Sequence, residues 1–249
     1  MLTVGHRGAS GDLPENTMGS FAEALKRGAT AIELDVHRCK SGEMVVIHDE
    51  DVSRTTSGSG KVSELTLAEL KKFDAGNGEQ IPTLDEVLEL VNRKASIFIE
   101  LKSPGAKHVA ATIHDAVKNK GWKYDQLPVI GFNHRQLYAF KRQNPDIEIG
   151  ATIHKKVKTV GALTLMAVAK RMGASAINPD HRLVTPSLVR KAHANGMKVN
   201  VWTVNEPKDI RRMLDAGVDA IMSDYPERIA QVKKLYPDAG RDTGTARHS

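Results

Sequence analysis

Two pairs of charged residues have a spacing that suits metal binding. Glu33 and Asp35 lie two residues apart in the apolar run AIELDV, so on a β-strand both side chains point to the same face. Glu100 and Lys102 repeat this spacing at the end of the apolar run SIFIEL. Carboxylates held together in an apolar setting repel one another, and a bound cation relieves that repulsion. Three carboxylates without a thiolate suit Mg²⁺ or Ca²⁺.

Histidines and a further cation follow other apolar runs in the same way. His6 and Arg7 come directly after the first run, and His48 comes directly after MVVI. A histidine or acid alone at a strand end is usually structural. However, so many ionisable groups at the ends of apolar strands predict a functional site, because burying charge is costly.

Eight apolar, β-rich runs alternate with amphipathic helical windows and would position these residues. The runs are Leu2–Gly5, Thr30–Val36, Ser96–Leu101, Pro128–Phe132, Glu148–Thr152, Ser175–Asn178, Lys198–Val201 and Ala220–Ser223. Such alternation predicts parallel strands joined by right-handed crossovers. Eight strands favour a closed TIM (β/α)8 barrel over an open sheet, and barrel sites lie where strands end.

One segment departs from the alternation. Residues 40–43 are too few for a helical crossover, so Met44–His48 is predicted to fold back antiparallel on the second strand. Residues 50–82 then form a short insertion after that strand. We expect residues 1–237 to make one barrel domain and residues 238–249, which are polar and aperiodic, to be a disordered tail. His37 is in phase with Glu33 and Asp35; it could reach a metal, but we expect it to leave the barrel mouth into solvent.

Composition narrows the class of protein. The 249 residues are 40% hydrophobic and 4% aromatic, which suits an aliphatic barrel core. Cys39 is the single cysteine, and neither a signal peptide nor an apolar run of membrane-spanning length is visible, so we expect a cytoplasmic protein without membrane insertion. The net charge of +6 comes from mostly dispersed residues, which argues against nucleic-acid binding. Whether the chain forms a homo-oligomer is left open.

Short motifs add a family resemblance over roughly residues 1–235. They are His6-Arg7-Gly8, Pro14-Glu15-Asn16-Thr17, Glu33-Leu34-Asp35-Val36, Val46-Ile47-His48-Asp49, Arg54-Thr55-Thr56, Glu100-Leu101-Lys102, Trp202-Thr203-Val204-Asn205 and Ser223-Asp224-Tyr225-Pro226. In this order the set resembles the glycerophosphodiester phosphodiesterases. The resemblance implies a TIM barrel with a small insertion after the second strand. It also implies hydrolysis of glycerophosphodiesters to glycerol 3-phosphate and an alcohol.

The resemblance also implies residue roles. Glu33, Asp35 and Glu100 would hold a divalent cation, Mg²⁺ or Ca²⁺, and His6 and His48 would be the acid–base pair. Arg7 and Lys102 would contact the phosphate. Trp202 and Phe132 would line the substrate pocket, and Glu15 and Asn16 would support the first loop.

Several alternatives stay open. The nucleophile is water or the substrate's own glycerol hydroxyl, and the resemblance favours the hydroxyl. Either histidine could start as the base, and the head group is not determined. Release of lysophosphatidic acid from lysophospholipids is the nearest competing activity, ahead of a non-enzymatic binding barrel.

Overall fold

The computed structural model describes residues 1–156 and 159–236, so the predicted tail at 238–249 lies outside the described residues. Within the described part, eight parallel strands close into a barrel in the order β1, β2, β4, β5, β6, β7, β8, β9, and β9 pairs with β1. The strands are β1 (Leu2–His6), β2 (Ala31–Arg38), β3 (Met44–Val46), β4 (Ser96–Leu101), β5 (Val129–Gly131), β6 (Ile149–Ile153), β7 (Ala176–Pro179), β8 (Lys198–Val201) and β9 (Ala220–Ser223). The predicted TIM barrel is confirmed.

Helices surround the barrel on its outer face. They are α1 (Met18–Lys26), α2 (Leu67–Leu70), α3 (Leu84–Val91), α4 (Ala106–Asn119), α5 (His134–Gln143), α6 (Thr159–Arg171), α7 (Pro186–Ala194), α8 (Pro207–Ala216) and α9 (Pro226–Leu235). In α3 the capping box of Thr83 and Glu86 satisfies backbone donors at the first turn, and Leu84, Val87, Leu88 and Val91 are buried. Among the described residues, no helix combines the length and apolar character needed to cross a bilayer.

The core has two layers because strand side chains alternate in direction. On β2, Ile32, Leu34 and Val36 are fully buried in the larger layer, between the sheet and the helices. A smaller cluster that includes Val4 and Phe98 fills the middle of the barrel. Each buried aliphatic side chain contributes about 1.5–3 kcal/mol. The middle of the barrel is therefore apolar, and the ionisable residues lie above it, where the strands end at the barrel mouth.

The hairpin after β2 is confirmed. β3 pairs antiparallel with β2, with Val46 opposite Val36 and Met44 opposite Arg38. It ends two residues earlier than predicted, although the N–H of Ile47 still donates to the Asp35 carbonyl of β2 at 3.0 Å. The insertion and hairpin share a small hydrophobic cluster made of Cys39, Val45, Ile47, Val52, Val62, Leu70, Ala75 and Ile81. This packing fixes the segment that carries His48.

Candidate active site

Strand register brings the three predicted carboxylates together. Glu33 lies opposite His6 in the β1–β2 ladder, and Asp35 lies opposite Glu100 in the β2–β4 ladder. One oxygen from each of Glu33, Asp35 and Glu100 lies within 4.8 Å of the other two. All three side chains are buried. The i, i+2 spacing has therefore placed three acids in one confined space.

Two cations contact this cluster. Arg7 Nε lies 3.2 Å from Asp35 Oδ2. Lys102 Nζ lies 3.1 Å from Asp35 Oδ1 and 2.7 Å from Glu100 Oε1. Burial opposes ionisation of Asp35, but the charges of Lys102 and Arg7 outweigh it and hold the pKa of this carboxyl below its usual range. Burial, and secondarily the charge of Asp35, raise the pKa of Glu33 to about 8 and also raise the pKa of Glu100.

The cluster fits a divalent cation. Its donors are all oxygens, as Mg²⁺ and Ca²⁺ prefer. Asp35 Oδ1 and Glu100 Oε1 are buried, and the Lys102 ammonium at 3.1 and 2.7 Å is the cation that contacts both. Two cationic side chains do not balance three carboxylates, and after burial the charge of Asp35 is the next cause that raises the pKa of Glu33. A bound divalent ion would allow all three acids to ionise together.

The loop after β1 has an unusual backbone that serves the cluster. Arg7 is left-handed, with φ of 55°, and its N–H donates to Glu33 Oε2 at 3.1 Å. Gly8 follows with φ of 89°, and a Cβ there would lie 2.3 Å from Ser20 Oγ. Asn16, also left-handed, donates through Nδ2 to Asp35 Oδ2 at 2.9 Å. Strained backbone at these positions is typical of functional sites, where surrounding contacts hold it in place.

His6 is held by a carboxylate from the other end of the chain. Its Nδ1 donates to Asp224 Oδ1 at 2.7 Å, and Asn205 Nδ2 donates to the second oxygen of Asp224 at 2.6 Å. Burial lowers the pKa of His6, but the hydrogen bond to Asp224 and the charge of Glu33 outweigh burial, so the pKa is raised. Because Nδ1 is occupied, Nε2 is the atom of His6 available for proton transfer.

His48 has the same arrangement with the residue that follows it. Its Nδ1 donates to Asp49 Oδ1 at 2.6 Å, which again leaves Nε2 available. Burial lowers the pKa of His48, and the opposing charge of Asp35 does not compensate. The two histidines thus have pKa values shifted in opposite directions, as suits a pair that exchanges protons with a substrate.

An ion-pair network connects His48 to Arg7. Arg54 contacts Asp49 through Nε, and its two terminal nitrogens donate to Glu15 at 3.0 and 2.7 Å. Glu15 Oε1 in turn accepts from Arg7 at 2.9 Å. The insertion is therefore joined through Arg54 to the first loop, and Glu15 and Asn16 lie where a supporting role was expected.

Aromatic rings form one wall of the site. Phe132 and Trp202 make an edge-to-face contact with centroids 5.5 Å apart, and His154 lies 6.2 Å from Trp202. A cavity of about 310 Å³ separates this wall from the ionisable groups. Its lining includes the predicted residues His6, Arg7, Glu33, His48, Glu100, Lys102, Phe132 and Trp202. Asp35, Glu15 and Asn16 lie behind that lining and contact it.

A family model described as the glycerophosphoryl diester phosphodiesterase family matches residues 6–228. The chain belongs to this family. It is therefore an enzyme, a phosphoric diester hydrolase, and the resemblance found in its motifs is confirmed.

Curated relatives and solved structures agree with this membership. The glycerophosphodiester phosphodiesterase of Caldanaerobacter subterraneus subsp. tengcongensis is 39% identical over 241 residues, covering 92% of this chain and 96% of the relative. One from Bacillus subtilis is 33% identical over 258 residues, covering 95% and 87%. An Oleispira antarctica phosphodiesterase, solved with the product sn-glycerol-3-phosphate, superposes with a TM-score of 0.82 at 30% identity, covering 93% and 96%.

Three residues of this glycerophosphodiester phosphodiesterase site received no role from sequence reasoning. Asp49 and Arg54 stand in motifs next to His48, and the pattern His48-Asp49 could have suggested a pair. Asp224 is 218 residues from His6, and only the closure of the barrel brings β9 beside β1. Its sequence signal was its position directly after the last strand.

The expectation that His37 faces solvent is wrong. The side chain is buried, and its Nε2 donates to the His48 carbonyl at 3.0 Å. The hairpin is the reason, because β3 and the residues after it cover the end of β2. His37 thus contacts the backbone of His48, the peptide that joins His48 to Asp49, and does not extend into solvent.

Proposed function

We propose that this family member is a metal-dependent enzyme that hydrolyses glycerophosphodiesters to glycerol 3-phosphate and an alcohol, with residues 1–237 as its single catalytic domain. One observation supports the proposal above all. Two histidines, each held at Nδ1 by its own aspartate, line the same cavity as Glu33 and Glu100. This arrangement supplies acid, base and charge stabilisation around one bound phosphodiester.

Charge is the first obstacle to the reaction. A phosphodiester anion repels nucleophiles, and further charge develops on its non-bridging oxygens as the bond to phosphorus forms. Arg7 and Lys102, both in the cavity lining, neutralise that charge. A divalent cation held by Glu33, Asp35 and Glu100 would supply additional positive charge at the same oxygens. Phe132 and Trp202 bound the other side of the substrate and reduce its contact with water.

Proton transfer is the task of the two histidines. One Nε2 accepts the proton of the nucleophile, and the other donates a proton to the leaving alcohol. The nucleophile is the glycerol 2-hydroxyl, which closes a cyclic phosphate and expels the alcohol. Water then opens the ring, and the two histidines exchange roles. Two histidines facing one cavity suit this two-step reaction, because each step needs both an acid and a base.

The relatives support the same substrate class. The Oleispira antarctica enzyme was solved with sn-glycerol-3-phosphate, and the curated relatives reported above are named glycerophosphodiester phosphodiesterases. We therefore do not propose lysophospholipase D activity for this chain.

A substrate panel tests this proposal. Initial rates are measured with glycerophosphocholine, glycerophosphoethanolamine, glycerophosphoglycerol and a lysophospholipid, each with Mg²⁺ and with Ca²⁺. We expect turnover of the water-soluble glycerophosphodiesters and formation of glycerol 3-phosphate. A preference for the lysophospholipid would overturn the proposed substrate class.

Binding of the cation should release a proton. Burial and the charge of Asp35 raise the pKa of Glu33 to about 8 and also raise that of Glu100, so we expect the metal-free cluster to hold about one proton at pH 7, mainly on Glu33. A cation that takes Glu33 as a ligand displaces that proton, and we expect release of about one proton per ion near pH 7. Above pH 9 the release should disappear, because Glu33 is already ionised.

Calorimetric titration with Mg²⁺ or Ca²⁺ in buffers of different ionisation enthalpy measures the number of protons released. Glu33→Gln should remove the release and weaken binding. Proton release that is equal at pH 7 and above pH 9 would contradict the assignment to Glu33.

Asp224 should contribute through the orientation of His6. Asp224→Asn keeps the shape of the side chain but weakens the hold on His6 Nδ1–H, so we expect turnover to fall by about 10–100-fold. Asp219→Asn is the matched control, because Asp219 forms a similar pair with His193 at 2.8 Å outside the cavity. Steady-state kinetics of both variants, with their melting temperatures, make the comparison. Equal activities of the two variants would contradict the role of Asp224.

A further inference from the structure

Thr152 is a buried polar residue of the active-site cavity that the mechanism above does not use. It lies on β6, is 5% exposed and belongs to the cavity lining. Its Oγ1 has no hydrogen-bond partner among residues 1–156 and 159–236. A buried hydroxyl without a partner is costly, so an unpaired one that faces a binding cavity indicates a group that pairs with ligand.

Asn178, opposite Thr152 in the β6–β7 ladder, has a buried Nδ2 without a hydrogen bond in the described part of the chain, but Asn178 does not line the cavity. Two polar groups on the cavity wall beside Thr152 are already paired. The indole N–H of Trp202 donates to the Asn178 carbonyl at 2.8 Å, and His154 Nδ1 accepts from the Lys156 N–H at 3.2 Å. The Thr152 carbonyl accepts from His134 Nε2 at 3.0 Å, which fixes the backbone at this point. Ile130, Phe132 and Met222 complete an otherwise apolar wall. The hydroxyl is thus a fixed and unpaired polar group on that wall.

The position of β6 indicates which part of a substrate reaches Thr152. In the ring of eight strands, β6 lies directly across from β1, which ends at His6 and Arg7. A phosphate bound by Arg7 and Lys102 would therefore extend one of its two alcohols across the lumen toward Thr152.

A second cavity provides room for the other alcohol. A groove of about 650 Å³ opens on the other side of His48, between the insertion and the loop of Ser103 and Pro104. The leaving alcohol varies among glycerophosphodiesters and fits the wider groove, whereas the glycerol unit is constant and fits the smaller cavity. Within the glycerol, the 2-hydroxyl must face a histidine as the nucleophile. The terminal hydroxyl is then the group left for Thr152.

We propose that Thr152 Oγ1 hydrogen-bonds the terminal hydroxyl of the substrate's glycerol and so selects glycerol over a diol that lacks it. The inference rests on the proposed function, since it assigns a substrate contact within that same site. Thr152 is a specificity-determining residue, and it takes no part in proton transfer.

Two substrates and two variants test this contact. The substrates are glycerophosphocholine and its 1-deoxy analogue, the phosphocholine diester of propane-1,2-diol, which keeps the hydroxyl that attacks phosphorus. Thr152→Val removes the hydroxyl at nearly constant volume, and Thr152→Ser keeps the hydroxyl while removing a methyl group. For each enzyme form kcat/KM is measured on both substrates, together with the melting temperature.

We expect wild type to prefer glycerophosphocholine over the deoxy analogue by about three- to thirtyfold, the effect of one neutral hydrogen bond. Thr152→Val should lose this preference by losing activity on glycerophosphocholine alone, and Thr152→Ser should retain it. The melting temperature of Thr152→Val should equal or exceed that of wild type, because an unpaired buried hydroxyl is replaced by a methyl group.

Three results would overturn the inference. Equal kcat/KM of wild type on both substrates would do so whether or not the variants fold. An equal loss on both substrates in Thr152→Val would assign Thr152 a structural role. Loss of the preference in Thr152→Ser would mean that the methyl group, and not the hydroxyl, sets it. Failure of wild type to hydrolyse either substrate would instead refute the proposed function.

Discussion

His6→Ala and His48→Ala should each lower kcat on glycerophosphocholine by about 10²–10⁴, the usual contribution of a positioned acid or base. Each substitution removes an imidazole whose Nε2 faces the cavity, together with its hydrogen bond to the neighbouring aspartate. Neither histidine belongs to the hydrophobic clusters, so the barrel should persist. Steady-state kinetics with circular dichroism of each variant give the measurement.

The control for this pair is His193→Ala. His193 also contacts an aspartate, Asp219, but it is exposed and lies outside the cavity, so its loss should leave kcat within about twofold. A substrate with a p-nitrophenol leaving group separates the two roles, because a good leaving group needs no protonation. In the first step, measured as release of p-nitrophenolate, the variant that lacks the acid should recover its rate, and the variant that lacks the base should not. Near wild-type turnover of either alanine variant, or recovery of both, would contradict the acid–base pair.

Removal of the divalent cation should lower the rate by about 10³-fold or more, since charge stabilisation by a metal supplies several kcal/mol. Glu33, Asp35 and Glu100 would hold the ion, because one oxygen from each lies within 4.8 Å of the other two and all three side chains are buried. Activity is measured after chelation and dialysis, then after addition of Mg²⁺ or Ca²⁺. Activity should return on addition of whichever of the two ions the enzyme uses.

Glu100→Gln tests the same site within the chain. It removes one ligand charge, so we expect the metal concentration for half-maximal activity to rise at least about tenfold. Glu148→Gln is the control, because Glu148 pairs with Lys198 away from this cavity. Full activity of chelated wild-type enzyme would refute metal dependence, and an unchanged metal requirement in Glu100→Gln would refute the assignment of that ligand.

The parts of the site that could be predicted follow from regular strands. Glu33 and Asp35 share a face because strand side chains alternate, and Glu100 joins them because parallel strands end at the same edge. His48 required one further step, the hairpin inferred from a connection too short for a helix. Local spacing and the barrel topology were therefore sufficient to bring these four residues together.

What could not be predicted depends on contacts across the barrel or on irregular backbone. Asp224 meets His6 only because the last strand closes against the first. Arg54 reaches Glu15 from an insertion whose short turns carry little periodicity. His37 follows the strand pattern of Glu33 and Asp35, but the returning hairpin buries it. Alternation along a strand predicts the direction in which a side chain points. It does not predict which later segments of the chain pack against that side chain.

Phosphorus NMR of glycerophosphocholine turnover tests the central claim most directly. With enzyme and a divalent cation, we predict that the diester resonance is replaced by that of glycerol 3-phosphate while choline accumulates, and that chelation stops the conversion. Because the proposed nucleophile is the glycerol 2-hydroxyl, a cyclic glycerol phosphate is the intermediate expected on the way. Formation of phosphocholine and glycerol, or turnover that continues in the chelated sample, would contradict the account.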